Sequence, residues 1–248
     1  MEEAIDEFLK YTKPYKKYGP MINLKIEHTL RVKDLCKEIA KSLNLSEEDI
    51  ILVEMCGLLH DIGRFEQWKR YKTYADLKSI DHGVLGEEIL KEKNFINKFT
   101  KENHDTIYHA VKYHNKYRIP NTLNEKNKLF LNITRDADKI DIMNVFIIEN
   151  LNVKTNNTVM TDMVFNKLLN REIIKLKERK TKADALAVRI GFIFDINYKK
   201  SLEIIKERNY FNKMIDKQLE EVENEKLKEQ IEILRKIGNE YIEEMTKC

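Results

Sequence analysis

Only seven glycines and three prolines interrupt the 248 residues of this chain. Between them, apolar residues recur at spacings of three and four rather than two, which is the period of an amphipathic α-helix. No segment shows the alternation of a β-strand. The sequence therefore predicts an all-α protein, and its length allows one compact body with a substantial core.

The pair His60 and Asp61 is the most informative chemical feature, because it ends the apolar run 50–59. The run predicts a deeply buried helix that Ser46 caps at its start and from which Gly63 lets the chain turn away. Adjacent residues on a regular helix point about 100° apart. Both side chains can therefore face one metal ion only where the helix loosens.

Further candidate metal ligands lie on other predicted helices. We expect His28 on a helix over about 24–43, His82 on a helix capped by Asp81, His114 at the end of a helix over 102–115, and Asp138 and Asp141 on a helix over 125–151. Such dispersion is typical of a site between facing helices of a bundle. Mixed imidazole and carboxylate ligation favours iron(II), manganese(II) or another divalent transition ion over calcium or structural zinc.

These side chains suffice for two ions that share one carboxylate. The first ion would be held by His28, His60, Asp61 and Asp138, and the second by Asp61, His82 and His114. The positive charge of two divalent ions exceeds the negative charge of two carboxylates, so the site would be net positive and would attract phosphate. A bridging water would become a hydroxide placed to attack phosphorus. His82 and His114 could instead hydrogen-bond substrate or support other ligands.

Several neighbouring residues are candidates for substrate binding. Arg64 and Lys139 flank the two aspartates and could bind phosphate oxygens during catalysis, with simple surface charge as the alternative. His109 lies about 140° round the helix from His114, so a substrate contact and a supporting or surface role both stay open. The aromatic and basic segment 64–80 predicts a loop over the site, which could stack a nucleobase or simply pack over the bundle.

Asp141 follows Asp138 by three residues and shares its helix face. It could orient a histidine ligand, or it could form an ordinary salt bridge.

The polar stretch 154–158 is the best candidate boundary in the chain. It would separate a metal-bearing domain, 1–153, from a helical C-terminal extension, 154–248, packed on the same body. In the extension we expect helices over 162–176, 182–195, 199–208 and 217–245. The apolar stripe of the last helix predicts either docking on its own core or a homodimer seam.

Charge and composition exclude several classes of protein. The 45 basic and 42 acidic residues leave a formal charge of +3, which argues against nucleic-acid binding driven by bulk charge. No segment approaches the roughly 18 apolar residues of a membrane span. Three dispersed cysteines and an acidic N-terminal run without signal-peptide character indicate a cytoplasmic protein with reduced thiols.

The motifs around these ligands resemble a known family. His28, His60 and Asp61 within the run Leu-Leu-His-Asp-Ile-Gly at 58–63, and Asp138 within Ala-Asp-Lys-Ile-Asp at 137–141, look like the HD superfamily of metal-dependent phosphohydrolases. The resemblance covers residues 24 to about 150. It implies an all-helical HD fold, a metal site from this His, His-Asp, Asp set, and hydrolysis of phosphate esters, commonly in nucleotides.

Two shorter segments, 81–83 and 112–115, are similar to the extra histidine motifs of the binuclear branch of this superfamily. The paired histidines and the Gly-Tyr-Pro run of cyclic-dinucleotide phosphodiesterases are missing, which argues against a cyclic-dinucleotide substrate.

We therefore predict a phosphohydrolase that uses two divalent ions to cleave a phosphate ester or anhydride. The predicted substrate is a small phosphorylated metabolite, namely a nucleotide. Fe²⁺ or Mn²⁺ is expected, with Mg²⁺, Ni²⁺ and Co²⁺ as further candidates. One alternative is a di-iron oxygenase of the HD fold, since some such proteins resemble the same six-ligand set. The other is a nucleotide-sensing module without turnover.

Overall fold

A computed structural model describes residues 1–93, 95–149 and 151–247 of the protein. The described residues form helices and connecting turns and contain no β-strand, which confirms the predicted all-α class. The chain divides into two compact units, Met1–Asp138 and Lys139–Cys248. The sequence-based division between residues 153 and 154 stays a prediction. No helix in the described ranges combines the length and apolar character needed to cross a membrane.

The first unit is built from consecutive α-helices. They are α1 (Glu2–Thr12), α2 (Pro20–Ser42), α3 (Glu47–Leu59), α4 (Ile62–Tyr71), α5 (His82–Glu92), α6 (Lys101–Tyr113) and the first part of α7 (Glu125–Ile148). Short 3₁₀ helices cover Lys13–Tyr18 and Asp76–Lys78. Helix α1 and both 3₁₀ helices lie outside the predicted elements.

Helix α3 forms the centre of the first unit and packs closely on α2. Ser46 Oγ accepts a hydrogen bond from Asp49 N (3.2 Å), which confirms the predicted N-cap. From Leu52 to Leu59 every residue of α3 is buried. A Cβ on Gly57 would lie 2.8 Å from Cys36 Sγ and 3.0 Å from Lys33 Cα, so a glycine is needed where the two helices meet.

The segment 64–80, predicted to be a loop, is helical in its first half, so that prediction was wrong. Ile62 and Phe65 lie three residues apart and are both fully buried, which fixes one face of α4 on the core. The Trp68 ring packs 4.7 Å from the ring of Tyr74. These aromatic side chains pack over the first unit, which was the alternative interpretation.

The second unit contains shorter helices than the sequence pattern predicts. After α7 come α8 (Asp162–Leu169), α9 (Lys182–Ile190), α10 (Lys199–Glu207), α11 (Tyr210–Leu219) and α12 (Glu225–Thr246), with 3₁₀ helices at Leu176–Glu178 and Gly191–Asp195. Helix α8 ends before Arg171, whose φ of 59° is left-handed. The expected single helix over 217–245 is two helices, because Asn224 caps a new one by accepting from Leu227 N (3.0 Å).

The apolar stripe of α12 faces the other helices of the second unit. Leu227, Ile231 and Leu234 are fully buried, and α12 packs on α8, α9, α10 and α11. This is the docking interpretation of the stripe. A homodimer through this face stays a prediction. Because these residues are buried within the second unit, less apolar surface of α12 is left exposed for a partner to cover.

Candidate metal centre

The break between α3 and α4 lets the side chains of His60 and Asp61 point towards the same candidate metal centre. His60 keeps helical angles (φ −53°, ψ −41°), whereas Asp61 leaves them (φ −101°, ψ 16°) before α4 starts. The helix therefore loosens at the predicted point. Gly63, however, lies inside α4, and a Cβ there would fall 2.2 Å from the carbonyl oxygen of His82. Its role is close approach to α5, and the predicted turn at Gly63 was wrong.

A first group of side chains meets around Oδ2 of Asp61. His28, on α2, places Nε2 3.1 Å from Asp138 Oδ1 and 3.6 Å from Asp61 Oδ2. His60 Nε2 lies 3.6 Å from each of the same two oxygens. Ligand atoms of His28, His60 and Asp138 all fall within 4.8 Å of one another, a spacing that one metal ion can bridge.

A second group meets around Oδ1, the other oxygen of Asp61. His82 is the first residue of α5 and places Nε2 3.3 Å from this oxygen. His114 follows the last residue of α6 and places Nε2 3.6 Å from it. The two carboxylate oxygens of Asp61 thus face different imidazole pairs, as a shared ligand of two ions would.

Hydrogen bonds fix which nitrogen of each ring faces the centre. Nδ1 of His60 is 2.7 Å from Gly57 O, and Nδ1 of His114 is 2.8 Å from Val111 O. Because a carbonyl oxygen only accepts, Nδ1 must be the donor in both rings. With Nδ1 as the donor, each ring presents Nε2 to the carboxylates, as metal-binding histidines do.

The donor set fits a cation. Burial, followed by the nearby Arg64 guanidinium, lowers the pKa of His82 to about 3, and burial lowers the pKa of His114. Both rings are then neutral at pH 7, with their Nε2 atoms 3.0 Å apart. Two lone pairs at that distance repel unless a positive charge faces both. His60 Nε2 is likewise buried without a hydrogen-bond partner among the described residues.

The two carboxylates stay ionised although both lie in the centre. Burial by itself would raise the pKa of Asp61, but Lys25 and His60 outweigh burial and hold that pKa well below its ordinary range. The imidazoles of His28 and His60 likewise outweigh burial and hold the pKa of Asp138 well below its ordinary range. The centre therefore offers negative oxygen ligands at neutral pH.

Two cations flank Asp61. Lys25 Nζ lies 2.7 Å from Oδ2, and Arg64 Nε lies 3.4 Å from Oδ1. Both charges also lie over the ring of Tyr74, at 5.7 and 5.6 Å from its centroid. Arg64 is one of the predicted phosphate ligands, and it is within reach of the centre. Lys25 was missed, although it precedes His28 by three residues and so shares its helix face.

The structure places the other predicted substrate residues differently. Lys139 is buried in the second unit, with Nζ 3.1 Å from Asp195 Oδ2. His109 lies on α6, stacked on Tyr113, with Nδ1 2.9 Å from Asn127 Nδ2. Within the described chain, the groups whose ligand atoms lie within 4.8 Å of one another are His28, His60 and Asp138, and His60, Asp61 and His114, and neither Lys139 nor His109 belongs to them. Their proposed contacts with substrate stay predictions.

Asp76 is the carboxylate that contacts a candidate ligand from outside the centre. Its Oδ2 accepts from His82 Nδ1 (2.7 Å), and its Oδ1 accepts from Gln67 Nε2 (2.8 Å) and Arg64 Nη1 (3.0 Å). Asp141, the sequence candidate for such a role, accepts from Asn144 Nδ2 (3.1 Å), and its expected role in orienting a histidine stays a prediction. No local pattern marks Asp76, which is the first residue of the short 3₁₀ helix Asp76–Lys78.

The fold and this centre together define an all-α protein with a cluster of buried imidazoles and carboxylates that could hold divalent metal. Comparison with known proteins gives the same result: the family model for the HD domain matches residues 26–143. Residues 26–143 therefore match an HD domain, the helical fold of a superfamily of metal-dependent hydrolases that bind divalent ions.

A curated relative gives no further indication of activity. An uncharacterized protein of Methanocaldococcus jannaschii is 40% identical over 72 residues, which is 28% of this chain and 37% of the relative. The match thus spans little more than a third of the relative's length. No solved structure matches the chain.

Proposed function

We propose that this protein is a phosphohydrolase that uses two divalent ions to cleave a phosphate ester or anhydride in a small phosphorylated metabolite, a nucleotide. The ions would be iron(II) or manganese(II), whose ligand preferences match imidazole and carboxylate. The proposed compartment is the cytoplasm, where the buried thiols of Cys36 and Cys56 stay reduced.

One observation carries the proposal: the divided environment of Asp61. Oδ2 faces His28 and His60 at 3.6 Å each, and Oδ1 faces His82 and His114 at 3.3 and 3.6 Å. A carboxylate placed between two imidazole pairs supports a shared ligand of two ions. Asp138 would complete the first ligand set from its position 3.1 Å from His28.

Ions held there would lower the pKa of a bound water and stabilise charge on the phosphoryl group. The chain's own cations would bind the remaining phosphate oxygens. Arg64 is proposed for this role because its guanidinium lies beside Asp61, and Lys25 joins it on the same ground. His109 and Lys139 stay secondary candidates, and Lys139 would first have to leave Asp195.

The proposal is tested by metal content and phosphate release on protein purified without oxygen. Wild type loaded with Mn²⁺ or Fe²⁺ should bind two ions per chain and release phosphate from some member of a panel of nucleoside mono-, di- and triphosphates. Asp61→Ala should lose both ions and all phosphate release, and His82→Ala should lose one ion. Asp6→Ala, at an exposed carboxylate of α1, should behave as wild type.

Two other results would contradict the proposal. The oxygenase alternative would be identified if the protein binds iron, cleaves a carbon bond of its substrate only with oxygen, and releases no phosphate. Tight nucleotide binding without turnover under any of the metals would identify a sensing module.

A further inference from the structure

A pocket of about 400 Å³ lies in the first unit, away from the candidate metal ligands. It is lined by α1, the 3₁₀ helix Lys13–Tyr18, α4 and Lys93 at the end of α5. None of the six candidate ligands contributes to its lining. Its volume is within the range of about 300–1,000 Å³ that small-molecule sites span.

Three tyrosines form a connected wall of this pocket. The ring of Tyr15 lies 5.3 Å from that of Tyr11 and 6.4 Å from that of Tyr18. The Tyr15 hydroxyl donates to Glu66 Oε2 (2.9 Å), and the Tyr18 carbonyl accepts from Trp68 Nε1 (3.1 Å). The wall is therefore held in place before any ligand arrives, and tyrosine rings offer large contact area at small entropic cost.

Four lysines surround the tyrosines, and most of their charge is uncompensated. Lys69 pairs with Glu66 at 3.2 Å. Lys10 and Lys93 form no ion pair or side-chain hydrogen bond with the described part of the chain, and Lys17 Nζ lies 5.4 Å from the centroid of the Tyr18 ring. Glu66, the partner of Lys69, is also shared with Arg70 (2.7 Å). The pocket is therefore positive, and a positive concave site concentrates anions.

We propose that this pocket is a second ligand site, for a nucleotide whose phosphates contact Lys10, Lys17 and Lys93 and whose base packs against the tyrosine wall. Phosphate chemistry follows from the uncompensated ammonium groups, and the flat ring follows from the aromatic wall, since aromatic faces accept any nucleobase. Helix α4 carries Lys69 in this pocket and Arg64 at the metal centre, so one rigid element borders both sites.

The test is calorimetric titration of full-length protein with ADP in excess EDTA, which removes metal-dependent binding. Wild type and Asp61→Ala should bind ADP equally. Lys10→Ala combined with Lys93→Ala should weaken binding by about tenfold or more, and Tyr18→Leu should weaken it as well. Lys41→Ala combined with Lys78→Ala removes the same charge at two exposed lysines outside the pocket and should leave the affinity unchanged. Circular dichroism confirms that each variant is folded.

Two probes separate the parts of the ligand. Pyrophosphate should bind more weakly than ADP, because it lacks the ring, and adenosine should bind more weakly because it lacks the charge. The inference fails if ADP does not bind in EDTA, if Asp61→Ala abolishes binding, if pyrophosphate binds as tightly as ADP, or if the control pair weakens binding as much as the pocket pair. Each of these outcomes is independent of whether the metal centre hydrolyses phosphate.

Discussion

Nδ1 of His82 donates to Oδ2 of Asp76 across 2.7 Å, so a candidate metal ligand is held from behind by a carboxylate. Asn115 Nδ2 reaches the same oxygen at 3.1 Å, and Gln67 and Arg64 donate to the other oxygen. These contacts satisfy the carboxylate and fix the ring of His82. Such a carboxylate both orients an imidazole and raises its basicity towards a metal ion.

Replacing Asp76 should weaken binding of the second ion selectively. We expect Asp76→Ala to lower that affinity by about 10- to 100-fold, because His82 loses its orientation, while the first ion binds as before. Asp76→Asn, which keeps an acceptor oxygen, should recover part of the loss. Titration with Mn²⁺ under nitrogen measures both affinities, with Asp6→Ala as the control. Unchanged binding in Asp76→Ala would show that His82 needs no support.

Lys25 should act on phosphate more than on metal. The ammonium group of Lys25 lies beside Asp61 Oδ2, so a metal ion bound at this oxygen would repel it. The displaced ammonium group would then be free to bind a phosphate oxygen. Lys25→Met should therefore bind Mn²⁺ at least as tightly as wild type, and the loaded variant should bind orthophosphate about tenfold more weakly. Lys41→Met on the same helix serves as the control in both titrations. Loss of Mn²⁺ binding in Lys25→Met would instead make Lys25 a positioning residue for Asp61.

Gly63 should tolerate no side chain. An alanine Cβ would lie 2.2 Å from His82 O and 2.8 Å from Gly86 N, both backbone atoms that cannot rotate away. Gly63→Ala should therefore separate α4 from α5, destabilise the protein by about 1–3 kcal/mol, and weaken metal binding. Gly86→Ala first meets a side-chain atom, Val111 Cγ1 at 2.7 Å, and should cost less. Urea unfolding compares the two, and equal losses would contradict the backbone argument.

Asp184 should stabilise the second unit in a pH-dependent way. Burial alone would raise its pKa, but hydrogen bonds from the backbone N–H groups of Lys180, Thr161 and Thr181 outweigh burial and lower it. The stabilisation is therefore present above the ordinary aspartate pKa of about 3.9 and is lost as the pH falls below it.

Asp184→Ala should accordingly lower the free energy of unfolding by about 3 kcal/mol at pH 7, because buried backbone donors lose their acceptor. The difference from wild type should shrink as the pH falls towards 3. Urea unfolding at several pH values measures it, with exposed Glu229→Ala as the control. A difference that persists unchanged at low pH would exclude the ionised carboxylate as its source.

The helical class and the candidate ligands could be predicted because both depend on local pattern. Apolar spacing gives a helix its buried face, and the run ending at His60 places a polar pair at the edge of a core. Helix ends were predicted less well: α8 stops before the left-handed Arg171, and a cap at Asn224 begins a helix inside a continuous apolar stripe. Such breaks depend on single backbone angles and capping contacts, which periodicity does not report.

By itself, the sequence determined that the chain is helical and that six histidines and aspartates of metal-binding type lie on or beside several different helices. Only the tertiary structure decided that Asp61 turns one oxygen to each imidazole pair, that Asp76 contacts a candidate ligand, and that Lys25 lies beside the centre. The physical reason is sequence separation. Asp61 and Lys25 are 36 residues apart and Asn115 and Asp76 are 39, and such pairs meet only when helices pack.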